Sequence, residues 1–323
     1  MMESEVKLPP DSAKVCKDAA AYIQERLPNG FSPKVGIISG SNSPVTLDHL
    51  NPEDERVEIN LKDIPGFVKS TVVMSQANRK LLAGTISNTQ VIVMLGRIHY
   101  YEGYSLKQVT LPIRVLKKLG IKTLIMVGAV ASISPDIKLG DIAVISDHIS
   151  LPNITGLNPL VGPNISHMGP RYPTMTDTYT YKLRKTLFKC WLKSEYLQTR
   201  GVNLKEAIYC YTSGPSYETR AECRALKICG GDVIGTCINP EIVVAKYCGL
   251  DILVVCAVTS MAPFSKETSA LEAAMADLEG RKLVATKEEE DEDILSYKDN
   301  IKKSVNRGGD IRNLIIDLVS AIE

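Results

Sequence analysis

Short runs of apolar residues alternate with longer amphipathic stretches along this chain. Val15, Ala19, Tyr22 and Ile23 recur at helical spacing and stop at Leu27-Pro28-Asn29-Gly30, which predicts a helix closed by turn residues. Val35-Gly-Ile-Ile-Ser39 then reads as a buried strand broken by Gly40 and Ser41, and Val91-Ile-Val-Met-Leu95 as another. A helix is predicted from about Ser105 to Leu119, closed by Gly120, followed by strands at 123–130 and 141–146. The almost wholly apolar run 252–259 is a further strand. The helix before it opens at Asn239-Pro240-Glu241, read as an Asn cap, a proline in the first turn and an acid at the positive end. Apolar strands separated by helices predict an α/β protein whose central sheet is covered on both faces.

Two stretches break this rhythm. Residues 151–177 are rich in Pro, Gly and Asn, a long irregular connection of the kind that often carries function. Residues 265–295 contain the charge run Lys287-Glu-Glu-Glu-Asp-Glu-Asp293, which reads as a solvated loop. No shift in composition marks a second domain, so one domain over 1–323 is expected.

Composition narrows the picture further. With 44% apolar residues and a net charge of +1, the chain supports a large core and carries no global field directed at nucleic acid or a membrane surface. No apolar run is long enough to span a bilayer, and the acidic N-terminal residues are unlike a secretory signal. The eight cysteines show no C-x-x-C spacing, so neither a zinc site nor a thioredoxin-like motif is indicated, and we expect a reducing cytoplasm.

Candidate chemistry lies directly after the strands, where open α/β sheets bind ligands. Gly40-Ser41-Asn42-Ser43 offers hydroxyls and backbone amides suited to an anion, although a plain polar turn would look the same. In Gly96-Arg97-Ile98-His99-Tyr100-Tyr101-Glu102-Gly103, Arg97 presents a planar fork of donors that fits phosphate. His99 could donate to an anion or a hydroxyl, and Glu102 is close enough in sequence to orient it. Glu218, in Gly214-Pro-Ser-Tyr-Glu218, precedes a helix that it could cap, or it could bind a ligand.

The run 96–104, with Tyr104 completing it, resembles the G-R-x-H-x-Y-E-G-Y signature of trimeric purine nucleoside phosphorylases. Leu139-Gly140-Asp141-Ile142, Asp147 to Pro152, Gly156 to Leu160, Gly214 to Glu218 with Ala221 to Arg224, and Pro240 to Leu250 match in the same order, so the resemblance covers about residues 13–322. It implies a single domain with a central mixed β-sheet flanked by helices. It also implies phosphorolysis of purine nucleosides to free base and ribose 1-phosphate, for purine salvage, by a cytoplasmic homotrimer. Inorganic phosphate is then the co-substrate, with no metal or organic cofactor.

The resemblance also assigns roles. Ser41, Arg97, His99 and the Ala129 amide correspond to phosphate ligands, as do the positions of Ser75 and Cys237. Tyr101, Tyr217, Glu218, Thr236, Ser260 and Tyr297 fall at nucleoside-binding positions, and Tyr172 at that of a Phe reaching into a neighbouring subunit. His99, Glu218 and Ser260 would be catalytic. Several positions depart from the family pattern, among them the N-A-A-G-G segment, which reads Gly128-Ala129-Val130-Ala131-Ser132, and Ser213, which stands for an Ala. Ser75-Gln76 replaces a phosphate-loop His, Cys237 a Ser, Ser260 a purine-binding Asn, and Tyr297 a ribose-binding His. Loss of two charge-assisted phosphate donors corresponds to roughly two to four powers of ten in phosphate handling. A nucleoside-binding homologue with impaired catalysis is therefore the alternative reading.

Overall fold

The computed structural model describes residues 12–40, 56–71, 79–264, 269–281 and 297–322. Side chains of residues 12 and 297–306 also fall outside the description. The elements in chain order are α1 (Ser12–Gln24), β1 (Val35–Ser39), β2 (Val57–Asn60), β3 (Lys80–Ile86), β4 (Thr89–Leu95), α2 (Leu106–Val109) and α3 (Leu111–Lys118). Next come β5 (Thr123–Ser132), β6 (Ile142–Ser150), α4 (Leu151–Ile154), α5 (Tyr181–Lys193), α6 (Glu195–Thr199) and β7 (Leu204–Tyr211). The chain continues with α7 (Arg220–Ile228), β8 (Val233–Gly235), α8 (Asn239–Tyr247), β9 (Asp251–Met261), α9 (Ala270–Leu278) and α10 (Tyr297–Ala321).

The strands form one mixed sheet in the order β2-β3-β4-β1-β5-β8-β7-β6-β9, and β9 also pairs with β5. That extra pairing divides the sheet into two parts. β2, β3, β4 and β1 make an open wing, while β5, β8, β7, β6 and β9 close on themselves. Strand β5 belongs to both.

Neighbouring apolar positions on the strands serve opposite faces. Ile38, Ile92, Leu124 and Ile252 join α1, α3 and α8 in one core, through Ala19 and Ile23, Ile113 and Leu116, and Ile242 and Val244. Ile37, Val93, Ile125 and Leu253 join α5 and α10 in the other, through Leu183 and Leu187, and Ile311, Leu314 and Leu318. A strand buried on both sides has no position for a polar residue, which is why these segments read as unbroken apolar runs.

Three local expectations are corrected. The helix predicted from Ser105 is two helices that part at Thr110. Pro112 lacks the N–H that would bond back to Gln108, and a proline there disfavours a continuous helix across the preceding turn. Asn239 is not a cap. Ile238 already has helical angles, and the fully buried Asn239 side chain instead accepts from Asn153 Nδ2 at 3.1 Å. The connection from 151 begins with a helical turn, α4, because Ser150 accepts from the Asn153 amide. Helix α9 lies within the stretch 265–295, whereas the charge run 287–293 lies outside the described residues.

Candidate active site

The arrangement of the main chain around β5 creates the first element of the site. Strand β9 accompanies β5 along its full length on one edge. On the other edge, β1 stops opposite Val127 and β8 begins opposite Ala131. The interval 128–130 therefore has no strand partner there among the described residues. Because β8 runs antiparallel to β5, its continuation carries Thr236 and Cys237 back alongside this gap. Gly128 permits the approach, since a Cβ there would lie 2.8 Å from Ile238 Cδ1. Ala129 is exposed within the gap.

Arg97 enters the same region from the end of β4. Gly96 donates to the Ser39 carbonyl at 2.9 Å, which fixes where the segment turns away from the sheet. The Arg97 side chain is 1% exposed. Its Nη2 donates to the Val127 carbonyl at 3.1 Å and its Nη1 to the Cys237 sulfur at 3.5 Å. Glu241 Oε2 lies 3.7 Å from Nη1. Neither Arg97 Nε nor Glu241 Oε2 has a hydrogen-bond partner among the described residues. Buried charges are ordinarily paired and saturated with hydrogen bonds, so this half-completed set suits an incoming anion. Burial lifts the Glu241 carboxyl to about 6 against the opposing pull of Arg97 and His99. A cavity of 420 Å³ adjoins the segment and has Lys62, Lys69, Arg79 and Arg97 in its wall.

His99 is held on both sides. Glu102 Oε1 lies 2.9 Å from its Nδ1 and accepts from its backbone N–H at 2.9 Å. The same carboxylate's other oxygen accepts from Ser70 Oγ at 2.6 Å and from the Thr71 amide at 2.8 Å. Glu102 thus links the imidazole to the 70–71 segment. Burial opposes charge on His99, but hydrogen bonds to Cys237 and Glu102 prevail and raise it to about 9. For Glu102, burial is likewise outweighed, chiefly by the bond to His99, and the carboxyl falls to about 2. Tyr101 stacks on the His99 ring at 4.8 Å and 13°.

The opposing segment, 213–218, is brought in by Gly214. This residue has φ +60°, and a Cβ on it would stand 3.3 Å from both Tyr101 Cδ1 and Thr236 Cγ2. Glu218 does not cap α7. Thr219 does so, accepting from the Glu222 amide at 3.2 Å while Glu222 accepts from the Thr219 N–H at 2.7 Å. The partly exposed Glu218 carboxylate is left with no hydrogen bond among the described residues. Tyr217 is exposed beside it.

Ser260 owes its position to a bulge. Val130 pairs with Val258, but Ala131 pairs with Ser260, so Thr259 is an extra residue in β9. Such an insertion re-aims the side chains that follow it. Thr259 turns inward and its hydroxyl donates to the Val130 carbonyl at 3.4 Å, while Ser260 is only partly buried.

Tyr172 stands apart from these groups, 89% exposed with Arg171 over its ring. Ser41 and Ser75 lie outside the described residues, as does the side chain of Tyr297 at the start of α10. Sequence reading missed Glu241 as a site group by taking it for a helix-dipole acid. The signal available was an acid three residues into an otherwise apolar helix, Asn239-Pro-Glu-Ile-Val-Val-Ala. Among the described residues no cluster of His, Cys, Asp or Glu is placed to hold a metal ion.

Fold and sheet order together define an α/β protein of the nucleoside phosphorylase type. Residues 34–287 match the family described as the phosphorylase superfamily. Purine nucleoside phosphorylase 1 of Geobacillus stearothermophilus is 37% identical over 246 residues, 76% of this chain and 84% of that protein. A crystal structure of a schistosoma purine nucleoside phosphorylase with hypoxanthine superposes with a TM-score of 0.81 at 29% identity, covering 96% of this chain and 98% of that one. A purine nucleoside phosphorylase in complex with ribose-1-phosphate gives 0.77 at 29% identity, covering 96% and 97%. The chain belongs to the purine nucleoside phosphorylase family, whose enzymes cleave purine nucleosides with inorganic phosphate.

Proposed function

We propose that this chain performs the reaction at the gap in β5, with phosphate held by Arg97, His99, the Ala129 amide, Ser41 and Ser75, and with Cys237 lining the same position. The observation that carries the reading is the buried Arg97, with Nε unpartnered among the described residues and Glu241 at 3.7 Å. A phosphate oxygen attacks the anomeric carbon as the bond to the purine breaks. The sugar passes through an oxocarbenium-like state and leaves as the 1-phosphate. The bonding pair departs with the base, whose negative charge needs donors placed in advance. Ser260 supplies such a donor, and Glu218 accepts from a ring N–H. Tyr101 packs beside the ribose, with Tyr217, Thr236 and Tyr297 around the nucleoside. Neither a metal nor an organic cofactor is assigned a role.

We further assign a homotrimer in which Tyr172 completes a neighbouring subunit's site. The stretch 151–177 is braced by Tyr247 Oη on Ile165 O at 2.7 Å and by Arg171 on Gly162 O at 3.0 Å, yet it presents Ile154, Leu157, Val161 and Tyr172 to solvent. A fixed loop with an apolar outer surface suits a subunit contact. Eight unpaired thiols support a cytoplasmic setting, and purine salvage is the role assigned to the reaction there.

The test is phosphate-dependent cleavage of inosine, guanosine, adenosine and a pyrimidine nucleoside by purified protein. Purine release only with phosphate present is the expected result. A second reading, a binding homologue with impaired chemistry, draws on the sulfur of Cys237 occupying one Arg97 donor. Failure to release any base from a folded trimer would favour it.

A further inference from the structure

We propose that Cys237 is a modification site: a nucleophilic thiolate held against Arg97 that reacts with peroxides and, as a sulfenic acid, closes the anion position.

The surroundings of this sulfur differ from those of the other thiols. Cys237 follows β8 and directly precedes α8, at that helix's positive end. Arg97 Nη1 donates to its sulfur at 3.5 Å, and His99 approaches from the same segment. The groups facing it are Arg97 and His99, Tyr209 and Tyr211 of β7, Glu241 of α8 and Cys256 of β9. Burial and Glu241 oppose ionisation of the thiol. The Arg97 charge and the His99 hydrogen bond outweigh them and hold it below the usual thiol range. Burial instead pushes Cys210 up to about 12 and Cys223 and Cys248 to about 11. Cys237 also keeps partial exposure, whereas Cys16, Cys210, Cys223, Cys248 and Cys256 are buried. Reactive cysteines combine these two properties, a cationic setting and a path to solvent.

In the reaction, the thiolate sulfur attacks one peroxide oxygen. An S–O bond forms as the O–O bond breaks, and the departing hydroxide takes a proton from solvent to leave as water. Sulfur gives up two electrons and the peroxide is reduced. The product has an added oxygen directed at Arg97 and no thiolate charge. Its placement where phosphate would sit rests on the function proposed above. The reactivity of the thiol does not.

The experiment treats the full chain with hydrogen peroxide and dimedone, then maps adducts by mass spectrometry, with iodoacetamide labelling run in parallel from the usual thiol range down to about pH 6. Expected are adducts at Cys237 at least about tenfold faster than at the exposed Cys229, and iodoacetamide labelling of Cys237 that persists below the usual thiol range. The Cys237→Ser protein should lack that adduct. Labelling of Cys237 no faster than Cys229, or a tenfold fall in its rate per pH unit already within the usual thiol range, would overturn the proposal. Inorganic phosphate should slow the labelling. Selective labelling that phosphate leaves unchanged would uphold the reactive thiol and count against phosphate at Arg97, so the two readings fail separately.

Discussion

Arg97 and Glu241 face each other at 3.7 Å with both side chains 1% exposed, yet the pair makes no hydrogen bond between its members. An ion pair optimised for stability would be shorter and saturated. This one keeps a guanidinium in place while leaving part of its donor set uncommitted.

The pair can therefore be dissected. Arg97→Gln should remove turnover and destabilise the fold by about 2–3 kcal/mol, less than a typical broken buried pair, because Glu241 can take up a proton near neutrality. The double variant Arg97→Gln/Glu241→Gln should recover much of that stability and none of the activity. Thermal denaturation beside steady-state rates checks both parts.

His99 governs the pH response. A histidine raised to about 9 contributes stability that is fully present below the ordinary histidine range and is lost as pH rises through about 9. Phosphate remains a dianion over the upper part of that interval, so its protection against heat should fade between about pH 8 and pH 10 as His99 loses its proton. Glu102→Gln should move that fade to lower pH. A phosphate-induced melting shift that is level across this range would contradict the assignment. Glu102, lowered to about 2, contributes in the opposite sense, losing its effect only as pH falls towards that value.

Glu218 separates function from folding. Since Thr219 and Glu222 form the cap of α7, Glu218→Ala should change stability by no more than about 0.5 kcal/mol. Thr219→Ala should cost about 1 kcal/mol. If Glu218 holds the purine ring, its removal should lower kcat/KM by about two to three powers of ten. Paired melting and kinetic measurements on the two variants would show which residue serves which purpose.

Gly214→Ala tests the closeness of the two walls. The substitution places a Cβ at positive φ, 3.3 Å from Tyr101 and Thr236. A cost of about 1–2 kcal/mol is expected from the backbone alone. Displacement of the 213–218 segment should also raise KM for the nucleoside more than KM for phosphate.

The apolar strands and the Ser105 start were legible because each is a local pattern. Strands β3 and β7 were not singled out. Gly84 interrupts the first, and Lys205 and Glu206 give the second the look of an exposed stretch. The closing of β5 to β9 into a ring depends on β9 pairing along both edges, which no local pattern records. The roles of Thr219 and Asn239 were unreadable for another reason. Thr219 sits beside Glu218, a second residue able to cap, whereas Asn239 carries a capping side chain that the helical angles of Ile238 and its own burial take out of use. The meeting of Arg97 with Cys237 and Glu241 joins distant parts of the chain. The resemblance to known phosphorylases assigned Arg97 and Cys237 to one ligand, and the direct contact between them comes from the structure.

The edge of β5 that lacks a strand partner at 128–130 among the described residues has a consequence for how such a site can change over generations. Serines, histidines and asparagines can each be exchanged by a single mutation, and several positions in this chain carry unusual residues. An amide belonging to the main chain is inherited with the strand itself, whatever side chain residue 129 carries. Only proline abolishes it. In the site proposed above, a cradle built partly from the peptide backbone would keep that contact with the anion through changes in the surrounding side chains.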